Sequence, residues 1–217
     1  MKILIISGGR FDEKFAASFL KNNKFDRIIA VDNGGIKSAE KLGIVPDMAI
    51  GDFDTEISGE TVHNEAKETV KLIPEKDDTD TEAAIRKAIE LGGEDIDIIC
   101  ATGGRIDHLL ANIHCMKIAL DAGVNARMID AGNTVFLKNK GFAMRREEYP
   151  GKYVSFVPFD GIVSGLKLKG FKYPLDGYDL KPGISRCISN EFKEDTGYID
   201  FENGCLIVIN SSDVKPE

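Results

Sequence analysis

The stretch Asp97-Ile98-Ile99-Cys100-Ala101-Thr102-Gly103-Gly104-Arg105-Ile106-Asp107-His108 decides the fold. Asp97–Ala101 is a largely apolar run of strand length, and His108–Ala122 repeats its apolar residues at helical spacing. Gly103-Gly104 between them breaks both periods. A strand that leaves through a glycine loop into a helix is the repeating unit of a parallel sheet, because parallel neighbours need a crossover long enough to hold a helix. Outward from this unit the pattern recurs. Candidate strands at Ile3–Ser7, Arg27–Asp32, Met48–Ile50, Val70–Ile73 and Ala126–Asp130 alternate with helical segments at Asp12–Lys21, Ile36–Leu42 and Thr81–Leu91. The third helix is the best marked: Thr79 and Glu82 make a capping box, Ala84, Ile85, Ala88 and Ile89 form one apolar stripe, and Gly92-Gly93 stops it. Residues 1–131 therefore read as a mostly parallel three-layer α/β sandwich.

From Ala131 the texture changes. Short β-prone runs follow at Val135–Leu137, Phe142–Met144, Tyr153–Pro158, Gly161–Leu168, Ile184–Ile188, Gly197–Phe201 and Cys205–Ile209, parted by Gly, Pro and Asp. Glu202-Asn203-Gly204 is a hairpin signal. Residues 132–217 are expected to form a smaller all-β sandwich domain.

Composition narrows the function. The 217 residues hold 28 Lys+Arg against 36 Asp+Glu, a net charge of −8, which opposes nucleic-acid binding because that needs a basic face. No apolar run nears the ~20 residues that span a bilayer, so no membrane association is expected. The apolar start Ile3–Ile6 is too short for a secretory leader. Cys100, Cys115, Cys187 and Cys205 show no CxxC spacing, which fits reduced thiols in a cytoplasmic protein.

In a parallel α/β sheet, ligands bind beyond the carboxyl ends of the strands. Five such ends here carry Ser7-Gly8-Gly9-Arg10, Asp32-Asn33-Gly34-Gly35, Gly51-Asp52-Phe53-Asp54-Thr55, Asp77-Asp78-Thr79-Asp80 and Thr102-Gly103-Gly104-Arg105 running into Asp107-His108. Asp52 and Asp54 are two apart, so an extended segment projects both carboxylates to one side. They repel unless a cation joins them. Magnesium takes such hard oxygens together with substrate phosphates, and Asp80 at a helix start is the natural third ligand. Gly103-Gly104 lets backbone amides approach a phosphate at a helix N-terminus, and the Arg105 guanidinium adds a fork of donors.

Gly51-Asp52-Phe53-Asp54-Thr55, Asp77-Asp78-Thr79-Asp80 and Gly103-Gly104-Arg105-Ile106-Asp107-His108 followed by Asn112, in this order and spacing, resemble the thiamine pyrophosphokinase family, and Gly183-Ile184-Ser185-Arg186-Cys187-Ile188-Ser189-Asn190-Glu191 resembles its thiamine-binding Ser-Asn-Glu segment. The resemblance covers nearly the whole chain. It implies a homodimer that binds ATP, Mg2+ and thiamine, moves the terminal diphosphate of ATP to the thiamine hydroxyl, and releases AMP. By carry-over, Asp52, Asp54 and Asp80 are the metal-binding acids at the catalytic centre, and a carboxylate such as Asp77 or Asp80 is the candidate catalytic acceptor of the hydroxyl proton. Gly103, Gly104, Arg105, Asp107 and His108 match the nucleotide-side motif, and Ser189 and Asn190 the thiamine-side motif; the family's Asp-Gly-Gly loop after the second strand reads Asp32-Asn33-Gly34-Gly35 here, which puts Asp32 or Asn33, with Gly34, on the nucleotide side. Some relatives stack a Trp on thiamine. This chain has none, and Tyr173 is the favoured substitute over Phe171 and Tyr178. Two rivals predict other products: a diphosphokinase for another heteroaromatic alcohol such as a hydroxymethyl pterin, and a phosphohydrolase using Asp52 as nucleophile. The second wants Thr or Val two residues after the second Asp, where Glu56 stands.

Overall fold

The computed structural model describes residues 1–53, 66–72 and 78–213, and the chain divides into two compact units, Met1–Ala131 and Gly132–Glu217. Asp54, Thr55, Glu56 and Asp77 lie outside the described residues.

The first unit is built on six strands: β1 (Lys2–Ile6), β2 (Arg27–Val31), β3 (Met48–Gly51), β4 (Glu68–Lys71), β5 (Asp95–Ile99) and β6 (Asn125–Ile129). They lie in the order β4-β3-β2-β1-β5-β6, and every pairing is parallel. β1 is central and wholly apolar after Lys2. Its residues Ile3, Leu4, Ile5 and Ile6 are all completely buried, as expected of a parallel strand covered on both faces. Leu4 and Ile6 face the helices α1 (Glu13–Asn22) and α2 (Asp32–Lys41), where Phe11, Phe15 and Phe19 close the layer. Ile3 points the other way, its Cδ1 3.0 Å from where a Cβ on Gly93 would stand at the end of α3 (Asp80–Glu90). α3 packs on α4 (Ile106–Asp121). Helix, sheet, helix: the three layers are present.

One charge is buried in this sheet. Asp97 on β5 is 1% exposed and takes a two-pronged contact from Arg127 on β6, at 2.9 and 3.0 Å. Lys2 on β1 adds a third cationic contact at 3.2 Å. A buried carboxylate is tolerable only when paired in this way.

The second unit holds two antiparallel sheets. In one, β13 (Leu206–Ser211) runs between β7 (Asn133–Lys138) and β9 (Tyr153–Pro158). In the other, the order is β11-β10-β12-β8, from β8 (Phe142–Arg145), β10 (Val163–Lys169), β11 (Leu175–Leu180) and β12 (Thr196–Asp200). Strands alternate inward and outward residues; on β13, Leu206, Val208 and Asn210 are buried. The core is aromatic. Phe171 stacks on Phe192 at 5.2 Å and meets Phe156 edge-on at 5.6 Å, and Gly197 leaves the slot its ring fills.

Three expectations change. Ile184–Ile188 is a series of turns and not a strand, with Cys187 at φ 74°. Leu175–Leu180 is a strand that its Asp-Gly-Tyr-Asp centre conceals; it lies at a sheet edge, where polar residues cost little. Asp32-Asn33-Gly34-Gly35, expected as a loop, is the first turn of α2.

Candidate active site

Five chain segments converge at the carboxyl ends of β1, β2, β3 and β5 around a cavity of about 700 Å³. At β1 the chain turns through Ser7, Gly8 and Gly9, with the Gly9 amide donating to the Cys100 carbonyl at 2.9 Å. A Cβ on Gly9 would lie 2.4 Å from that carbonyl oxygen, and one on Gly34 would lie 2.8 Å from the Cα of Gly8. The paired glycines let three backbones meet where side chains would hold them apart. Gly34 accordingly packs behind the wall, while Asp32 lines the cavity.

Non-glycine residues in left-handed backbone mark the same edge: Asp32 at φ 53°, Phe53 at φ 54° and Cys100 at φ 58°. Such conformations cost about 1 kcal/mol or more each and gather where a chain must turn sharply at a site. Asp52 sits just before Phe53 and lines the cavity, as do Asp78, Thr79 and Asp80. Thr79 caps α3, its hydroxyl accepting from the Glu82 amide at 3.2 Å, which holds Asp80 in the first helical turn. The Glu82 carboxylate turns to Arg86 at 2.6 Å, so the box appears here as its Thr79 half. Thr81 and Ser7 share a buried hydroxyl–hydroxyl bond of 2.9 Å that ties the start of α3 to the end of β1. No periodicity signals that pair.

Gly103, Gly104, Arg105, His108 and Asn112 line the same cavity. Gly103 and Gly104 take φ 81° and 78°, conformations that glycine adopts without penalty. The buried Asn112 side chain donates to the Ala101 carbonyl at 3.0 Å and anchors this loop to α4. Arg105 is engaged twice by Asp107, at 3.1 and 2.6 Å, and the Arg105 hydrogen bond holds the Asp107 carboxyl down to about 2. Asp107 therefore faces Arg105 and is not part of the cavity lining. Cys100 also lines the cavity, but burial pushes its thiol up to about 11, which makes it a poor nucleophile.

The donor set suits a hard cation: Asp52 and Asp80, both carboxylates, line the same cavity as the Gly103-Gly104 loop. Among the described residues, no group of three or more His, Cys, Asp or Glu is assembled to hold a metal by itself. Magnesium fits such a site, because it is commonly held by one or two carboxylates together with substrate phosphates.

In the second unit, Asn190 is buried and its side chain is spent on the backbone. It donates to the Tyr173 carbonyl at 2.8 Å and accepts from the Tyr173 and Glu191 amides, both at 2.9 Å. Its main chain bridges to Val154. Ser189 is exposed at φ 56°, its amide on the Ser155 hydroxyl at 2.9 Å. Tyr173 is 58% exposed, whereas Phe171 is core and Tyr178 lies under Arg186 at 4.3 Å. Lys172 Nζ lies 5.5 Å from the centre of the Tyr173 ring, and of the three aromatic candidates Tyr173 is the exposed one.

A parallel sheet whose strand ends gather glycines, a helix N-terminus and several carboxylates around one cavity defines an α/β protein of the class that binds its ligands beyond the carboxyl ends of its strands. Residues 16–128 match the model of the thiamin pyrophosphokinase catalytic domain, and residues 142–206 match that of the thiamin pyrophosphokinase vitamin B1 binding domain. The chain belongs to the thiamin pyrophosphokinase family. It is 35% identical over 187 residues to the thiamine pyrophosphokinase of Bacillus subtilis (strain 168), covering 85% of this chain and 87% of that protein. The crystal structure of thiamine pyrophosphokinase from Bacillus subtilis superposes with a TM-score of 0.85 at 30% identity, over 99% of this chain and 100% of that one. That of thiamin pyrophosphokinase from Geobacillus thermodenitrificans does so at 0.83 and 29%, over 99% of each.

Proposed function

We propose that this protein transfers the terminal diphosphate of ATP to the hydroxyl of thiamine, forming thiamine diphosphate and AMP. The observation that carries the reading is a cavity lined together by Asp52, Asp80, Gly103, Gly104 and Arg105, in a chain of this family. The thiamine oxygen attacks the β-phosphorus in line. One O–P bond forms, the bond from the β-phosphorus to the bridging oxygen breaks, AMP leaves with that oxygen, and the hydroxyl proton passes to a carboxylate such as Asp77 or Asp80.

The amides of Gly103 and Gly104 and the N-terminus of α4 cradle phosphate oxygens. Arg105 exchanges Asp107 for phosphate when the nucleotide arrives, since both partners are exposed and such pairs are worth little in water. His108 contacts the nucleotide at the mouth of the cavity. Asp52 and Asp80, with Asp54, hold magnesium, which when bound neutralises charge on the phosphate oxygens. Most of the catalysis in this class of reaction is alignment and charge stabilisation. Tyr173, steadied by Asn190, supplies the aromatic face for thiamine, with Ser189 beside Asn190 in sequence; the working form is a cytoplasmic homodimer.

Incubation with thiamine, ATP and magnesium should give AMP and thiamine diphosphate in equal amounts. ADP with thiamine monophosphate would refute diphosphate transfer, free phosphate alone would point to hydrolysis, and turnover of a hydroxymethyl pterin in place of thiamine would change the acceptor. Asp52→Asn should lower kcat at least ~100-fold, as expected when charge stabilisation at the phosphates is weakened, with an unaltered thermal midpoint. Unchanged turnover at saturating magnesium would remove Asp52 from the metal site.

A further inference from the structure

We propose that Arg10, at the carboxyl end of β1, is the cation that first engages the polyphosphate chain of the nucleotide. Three observations converge on it. Arg10 leaves β1 beside the loop that leaves β5, and β1 lies between β2 and β5 in the sheet order, so the sheet's direction of growth reverses at this crevice. Its stem lies against the glycine loop: a Cβ on Gly103 would stand 3.2 Å from the Arg10 Cβ and 3.3 Å from its Cδ. Finally, of the two arginines lining the cavity, Arg105 is held by Asp107 at 2.6 Å, whereas Arg10 pairs with no carboxylate among the described residues.

The cavity is polarised as a result. Asp52 and Asp80 occupy the β3 and α3 side, and the cations occupy the β1 and β5 side. A polyphosphate entering this cavity meets one guanidinium that no described carboxylate holds and a second that must first leave its partner. Arginine suits the role because its planar fork matches two phosphate oxygens at once. The exposed Arg10 carries no core packing, so its removal should leave the fold intact.

This inference rests on the nucleotide reading of the cavity, and the experiment separates the two. Binding of ATP and of adenosine is measured by calorimetry for the wild-type protein, Arg10→Ala and Arg10→Lys. ATP affinity should fall at least tenfold in Arg10→Ala and be partly restored in Arg10→Lys, while adenosine affinity and the thermal midpoint stay constant. In turnover, the KM for ATP should rise more than kcat falls, with the KM for thiamine unmoved. Equal losses for ATP and adenosine would reduce Arg10 to a structural residue, and unchanged ATP binding would overturn the proposal. A wild-type protein that binds ATP through Arg10 yet leaves thiamine unconverted would sustain this inference and sink the activity. A wild type that binds no ATP would sink both.

Discussion

Asp107 shows how a single side chain can be read from its neighbours. The Arg105 hydrogen bond favours its charged form and holds it at about 2 instead of the ordinary value near 4. The sign follows from linkage: a depressed carboxylate contributes most when ionised, so the Arg105–Asp107 pair persists above the ordinary value and is lost as pH falls towards 2. Carboxyl titration by NMR should place Asp107 near 2, and Arg105→Ala should return it towards the ordinary carboxylate range. No inflection in the activity profile between pH 4 and 8 should then belong to Asp107. At this scale the sequence was most informative about acids. Asp52 and Asp80 line the cavity at the strand-end side the sequence pointed to, because each is marked by local spacing: Asp52 two residues before Asp54, Asp80 one residue after a cap. Ser7 and Thr81 carry no such mark, because their bond spans 74 positions and neither residue is unusual where it stands.

Asn190 shows the limit at the scale of the element. The sequence marks it through its motif, but its physical job depends on a segment 17 residues away that it holds through two hydrogen bonds to Tyr173, while the neighbouring Glu191 amide donates to the same side-chain oxygen. Asn190→Ala leaves the Tyr173 backbone amide and carbonyl without that partner, at a cost of about 1–3 kcal/mol. If Tyr173 stacks on thiamine, the same change should raise the KM for thiamine several-fold while the KM for ATP holds; equal changes in both would assign Asn190 to stability alone. The misread elements have one cause. Hydrophobic pattern reports burial, and β11 is an edge strand whose Asp176 and Asp179 face water, so the pattern is weak where the strand is real. Ile184 and Ile188 are apolar yet 46% and 48% exposed, so the pattern is strong where the strand is absent. The helix-starting Asp32 escaped for another reason: glycines at positions 34 and 35 signal a loop, but here they admit the backbones of Gly8 and Ile6.

For the whole molecule, the division at Ala131 follows from periodicity, which passes from alternating strand and helix to strands alone at the same residue where the two units part. Net charge acts at this scale too. A chain of charge −8 attracts a cationic acceptor such as thiamine and repels a nucleotide, so the two substrates should respond oppositely to salt. Raising ionic strength should lower kcat/KM for thiamine several-fold, as screening shortens the reach of the field to about 8 Å at physiological salt. A salt-independent thiamine profile would limit the effect to the contacts within the site.

β1 has a consequence of its own. Its four isoleucine and leucine residues are wholly buried, the strand is paired on both sides, and the cavity begins one residue beyond its end. Amides in such a strand exchange with deuterium only when the surrounding unit opens completely. Any ligand that binds only the closed form lowers the population of that opening by one plus the ratio of its free concentration to its dissociation constant, about a hundredfold at a hundred times that constant. The middle of the sheet thus becomes a label-free gauge of what the cavity holds: the slowest-exchanging hydrogens in Ile3–Ile6 would slow further with each true ligand and ignore every molecule that merely touches the surface.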